Sequence, residues 1–161
     1  MRNATLFVTM AILVGSVTSC IPMRLKQAKE GLKISVAELP QTEHFVTVAS
    51  RSAESYRRFG TLICYSAGAE IVVGTSLPSH EALESYVRHL ERKGWIVVRD
   101  DYERSKELIR GEFELIDVNV NSPGWRMRVD EEYLRARETY PGFVYLAVRW
   151  YLPNRATCLG E

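Results

Sequence analysis

Three kinds of side chain in this sequence could do chemistry: histidines, clustered carboxylates and serines. Their spacing decides which chemistry is open. The histidines are His44, His80 and His89. None forms an HExxH pair, and His80 and His89 do not share the i, i+4 face that would let two imidazoles hold one metal ion. They read as solvent-facing residues. Asp100, Asp101, Glu103 and Glu107 gather after an apolar run, but DDYERSKE interleaves Arg104 and Lys106. It also lacks the internal glycine of a calcium loop, so it reads as a solvated turn. No serine sits in a Gly-x-Ser-x-Gly elbow. Gly68, Gly74 and Thr75-Ser76 lack the lysine of a phosphate loop. The sequence therefore offers no catalytic residue, no metal site and no cofactor site.

Arginine and aromatic residues are the remaining candidates. Trp125-Arg126-Met127-Arg128 and Arg149-Trp150-Tyr151 alternate planar and cationic groups. Trp125, Arg126, Arg128, Arg149 and Tyr151 are thus candidate binding residues, because Trp, Tyr and Arg concentrate energy at protein contacts. The plainer reading is sheet positions whose rings are buried and whose guanidiniums reach the surface. Nucleic acid is a poor partner. Lys and Arg total 21 against 20 Asp and Glu, a net charge of +1, which gives no global pull toward phosphates.

The N-terminus says where these residues work. Met1-Arg2-Asn3 is a basic start, and residues 4–17 are apolar or small. That run is shorter than the roughly 20 residues of a spanning helix and fits a secretory signal. It ends in Val17-Thr18-Ser19-Cys20, which resembles the lipobox of bacterial lipoproteins. The resemblance covers the leader alone. It implies that Cys20 is acylated and becomes the first residue of the mature chain, anchored to a cell membrane or outer membrane with its body outside the cytoplasm. Ile21 stands where that family's inner-membrane retention signal has aspartate. An ordinary cleaved signal or an uncleaved anchor are the other readings. Losing residues 1–19 removes one base, Arg2, and no acid, so 20 of each sign remain. Cys64 and Cys158 would then be the other two thiols, and two thiols outside the cytosol tend to pair. The alternative leaves both free, with Cys64 in a strand.

Other elements must position these groups. Residues 20–58 read as a lipidated N-terminus and tether, with a turn or two of helix before Gly31 and a short strand near residues 44–48. Residues 59–158 read as the globular domain. Residues 61–73 are rich in β-branched and aromatic side chains and read as one long strand bent near Gly68, ahead of the alternative of two strands around Ser66-Ala67-Gly68. Ser79 is the expected N-cap of a helix over residues 79–93, with Leu83, Val87 and Leu90 on one stripe. Gly94 would close that helix in the left-handed conformation, folding Trp95 back on it. A strand follows at residues 95–98, then a hairpin pair over 106–110 and 113–120. A turn at residues 121–124, a short helix over 130–139 and a strand over 143–152 complete the chain. The expected class is α+β: a single domain with an antiparallel sheet, helices on one face and β-α-β-β-α-β order, matching a ferredoxin-like split βαβ. A meander with one packed helix is the simpler alternative.

These features suit a lipid-anchored, non-catalytic domain that binds a protein or polymer of the cell envelope. A small envelope hydrolase with a site assembled from distant residues, or a periplasmic small-molecule or lipid carrier, are the competing expectations.

Overall fold

Period-two alternation in the strands and a 3.6-residue repeat in the helices are satisfied together by one sheet with helices laid on it. The computed structural model describes residues 23–59, 62–101, 104–120 and 131–160. Cys20, Trp125, Arg126, Arg128 and the turn expected at residues 121–124 lie outside them.

Residues 23–37 form helix α1. It is followed by β1 (Phe45–Phe59), β2 (Leu62–Thr75), α2 (Ser79–Glu91), β3 (Ile96–Asp101), β4 (Ser105–Arg110) and β5 (Glu114–Asn119). Helix α3 (Glu131–Ala136), β6 (Gly142–Leu152) and α4 (Arg155–Leu159) complete the order. The six strands make one sheet in the order β1-β2-β6-β5-β4-β3, antiparallel at every pairing.

Alternate residues face opposite sides of each strand. One side carries Ala67, Ala69, Ile71 and Val73 of β2, Val144, Leu146 and Val148 of β6, Ile116 and Val118 of β5, and Leu108 of β4. Helices α1 and α2 cover it. The α2 stripe of Ala82, Leu83, Tyr86, Val87 and Leu90 is buried there. Leu83 and Leu90 keep no exposed surface, so each contributes roughly 1.5–3 kcal/mol through removal from water. Gly94 takes φ +86°, and the Trp95 amide returns to the Leu90 carbonyl at 3.2 Å, closing α2 as the sequence implies. The cap position, however, falls on Pro78, whose backbone is extended. Its carbonyl already accepts the Ala82 N–H at 2.8 Å, so Ser79 is inside the helix.

Ion pairs fasten both helices to the sheet. Lys106 of β4 reaches Glu84 of α2 at 2.7 Å and Asp100 of β3 at 3.1 Å. Arg110 clasps its cross-strand partner Glu114 through two bonds of 2.6 and 2.7 Å and reaches Glu38, just past α1, at 2.5 Å. Ser35 of α1 donates to the same Glu114, and Arg110 lies 4.9 Å above the Trp95 ring.

Three expectations are corrected. Residues 23–58 are not a tether: Leu25, Ala28, Leu32 and Val36 follow a helical stripe into the core, and β1 is the partner of β2 along its whole length. The helices are not confined to one face. Tyr133 of α3 packs on Ala49, Val72 and Tyr145, which lie on the side away from α1 and α2. The strand order is not β-α-β-β-α-β in a ferredoxin-like layout. A split βαβ leaves room for one strand between the two it joins, but here β6, β5 and β4 all lie between β2 and β3, and β1 adds a further strand outside β2. Strand β2 pairs with the last strand, β6, from Tyr65↔Leu152 to Thr75↔Gly142.

Candidate binding site on the open sheet face

The far face of the sheet, opposite α1 and α2, is covered at its two ends and open between them. At one end sits α3. Its Tyr133 hydroxyl is 3.1 Å from that of Tyr145, and the two rings meet edge to face at 6.2 Å. Phe143 stacks beside Tyr145. Burial pushes the Tyr145 hydroxyl well above the usual phenol range, with Tyr133 adding to it. At the other end the chain turns back after β6 into α4, which packs on β6. Asn154 caps α4 by accepting the Thr157 amide at 2.8 Å. The turn brings Cys158 to Cys64, with Cα atoms 5.6 Å apart, within the span that a disulfide bridges.

Between these ends the strand register lines up charge. Arg51 of β1, Glu70 of β2, Ala147 of β6, Asp117 of β5, Glu107 of β4 and Arg99 of β3 occupy one row across all six strands. The next row holds Ala53, Gly68, Arg149 and Leu115. The small residues Ala53, Gly68 and Ala147 make a low floor, and Arg51, Glu70 and Arg149 stand around it. The result is a cleft of about 390 Å³ that opens to solvent, within the usual size range of small ligand sites.

The electrostatics are mixed. Burial raises the Asp117 carboxyl above the ordinary carboxylate range, while Arg149 and then Arg99 pull it back. One oxygen of Glu70, Oε2, is buried without a hydrogen-bond partner among the described residues. Such a surface can grip groups that offer both anionic oxygens and N–H or O–H donors, as polar polymers and peptide segments do. The arginines supply forked donors and the carboxylates supply acceptors.

Of the candidate binding residues, Arg149 stands exposed at the cleft. Tyr151 lies on the same face but is buried near α4, and so acts as packing. Trp150 points the other way, into the core side, where it stacks on Phe113 at 5.5 Å. The interleaved run is therefore half core and half surface. Arg51, Glu70 and Asp117 were not singled out from the sequence. Their one signal is alternation within strands, and it becomes a cluster only once register is known.

Two further constellations are accounted for. His44 Nδ1 lies 3.4 Å from Ser76 Oγ, and Nε2 lies 3.5 Å from Glu43. The His44 and Glu43 side chains are 53% and 86% exposed, so water surrounds the group and no reacting atom would be sequestered. Among the described residues no three His, Cys, Asp or Glu side chains gather as a metal site.

The architecture is thus an α+β fold with an open antiparallel sheet bearing a charged cleft. No protein-family model, no curated protein and no solved structure matches the chain.

Proposed function

We propose that the protein is a lipid-anchored extracytoplasmic binding domain, held at Cys20, which offers its open sheet face to a protein or polymer of the cell envelope. The observation that carries this reading is the cleft between α3 and α4, where Arg51, Glu70 and Arg149 surround a floor of small residues. The lipobox-like leader supplies the address. The approach of Cys64 to Cys158 supports it, because an oxidising compartment would close that bridge.

The test is site-specific cross-linking in cells from a photoreactive residue placed at Ala53. Arg149→Glu should abolish a discrete cross-linked product while leaving the far-UV spectrum and the unfolding midpoint unchanged. A product of unaltered yield, or none in the parent, sinks the reading. Mass analysis of the mature N-terminus, with and without Cys20→Ser, tests the anchor separately.

A second reading, a small envelope hydrolase, has one specific observation in its favour. Glu70 and Asp117 flank Ala147 on the open face, so their backbones are about 10 Å apart at two strand spacings. Burial raises the Asp117 carboxyl from its ordinary value, the direction that a general acid needs. An acid and a base across a cleft are what glycoside cleavage by inversion requires. Turnover of envelope glycan that vanishes in both Asp117→Asn and Glu70→Gln would move the assignment to this reading.

A further inference from the structure

On the helix side of the sheet the covering layer is too narrow for what it covers. Two helices about 10 Å across span roughly four strands at 4.8 Å spacing, whereas this sheet has six. The shortfall appears beside α1, at edge strand β1. Ser50 and Ser52 pair with Ile71 and Ala69, which face α1, yet both serines are exposed. A channel of about 320 Å³ runs there between α1 and the β1–β2 hairpin. Leu32, Val36 and Ala37 line one side, and Ala69 and Ile71 lie beneath. A smaller hollow of about 110 Å³ extends it past Lys29 and Leu32 toward Ala67.

The walls are aliphatic, but the rim is not. Lys29 and Lys33, one helical turn apart on α1, both border the channel and are exposed. Neither has an ion-pair partner among the described residues, although Lys26 on the same helix pairs with Glu30. An apolar slot edged by two uncompensated ammonium groups complements a molecule with a hydrocarbon tail and an anionic head.

We propose that this channel binds a single-chain anionic amphiphile. Its acyl chain lies along Leu32, Val36, Ala69 and Ile71, and its carboxylate or phosphate head meets Lys29 and Lys33. A polypeptide adding to the sheet would instead use the outward backbone edge of β1 and leave the channel empty. The site lies on the α1 side of the sheet, away from Glu70 and Arg149, although Arg51, Ser52 and Ala69 border both it and the charged cleft.

The probe is a dodecanoic acid bearing a diazirine in its tail, with the matching alcohol as neutral control. The full chain is held in nanodiscs of phosphatidylcholine and the labelled residues are mapped by peptide mass analysis. Label from the acid should concentrate in residues 29–37, 50–52 and 67–71. Lys29→Gln with Lys33→Gln should lower the acid's labelling there about twofold to twenty-five-fold, since each exposed charge contact is worth about 1.4-fold to fivefold. The alcohol's weaker labelling should be unchanged. Ser50→Trp, introduced from the exposed strand, should fill the channel and suppress both. Ala37→Trp does the same from the helix side should the first variant fail to fold. Competition by dodecanoate against dodecyl phosphate identifies the head. Label distributed elsewhere, or label in the channel that survives both tryptophan variants, overturns the proposal.

Discussion

Gly31→Ala sets two effects of known sign against each other. Alanine in the interior of a helix is worth about 0.5–1 kcal/mol over glycine, because it restricts the unfolded chain and shields backbone. If α1 were an isolated helix, the substitution would stabilise. But α1 passes directly over Trp150. A methyl group at residue 31 would stand 2.8 Å from Trp150 Cζ2 and closer still to Cε2 and Cδ2. The indole cannot easily retreat, since it stacks on Phe113 with the planes 11° apart. Overpacking of this kind costs about 1–3 kcal/mol, and an overlap with three atoms of a rigid ring lies toward the upper end. The net effect should be a loss of about 1–2 kcal/mol, or roughly 2–8 °C in the melting midpoint for a chain of this size. Urea unfolding followed by circular dichroism measures it. A Trp150→Leu background removes the obstacle, so there Gly31→Ala should stabilise by about 0.5–1 kcal/mol. A rise in midpoint in the parent, or identical effects in the two backgrounds, would refute the reasoning.

Other expectations follow from the same geometry. Replacing Cys64 and Cys158 together by serine opens a loop with a sequence separation of 94. In the chain-entropy model this should lower stability by about 4–5 kcal/mol, and reductant should reproduce the loss in the parent but not in the variant. Glu114→Ala leaves Arg110 and Ser35 without their shared partner in a site where the Glu114 side chain is only 9% exposed. Unfolding titrations should show a loss of about 3 kcal/mol, and a change under 1 kcal/mol would mean that Glu38 holds Arg110 alone. Asp117 titrates above the usual carboxylate range in the folded chain, so folding favours its protonated form. Its contribution therefore worsens as pH rises from the ordinary value through the raised one. Asp117→Asn should be more stable than the parent at neutral pH and lose that difference in acid. Arg149→Gln should move the Asp117 titration, read by carbonyl NMR, further upward.

Helix α2, the long β2, the β4–β5 hairpin and β6 were legible because each carries a strong local signal. The Leu83–Val87–Leu90 stripe, the glycine at φ +86° and the β-branched runs state their structure without reference to partners. Helix α1 was readable in principle from Leu25, Ala28, Leu32 and Val36, but Gly31 resembles a stop. Only contact with Trp150 explains a glycine inside a helix. Strand β1 carries polar residues such as Ser50, Arg51 and Ser52 because it is an edge, held by backbone pairing to β2 rather than by its own apolar face. The cleft was illegible for a different reason. Arg51, Glu70 and Arg149 are far apart in the chain, and a one-residue slip in any of their strands would scatter them to opposite faces. Arg149 alone drew attention, through its aromatic neighbours, and those neighbours turn out to be packing.

Helix α1 is already formed at residue 23. Counting from Cys20, three backbone steps reach that point, a leash of no more than about 10 Å even when fully drawn out. A fatty group on that cysteine would moor the body almost flush with the bilayer, denying it the wide sweep that a loose stalk allows.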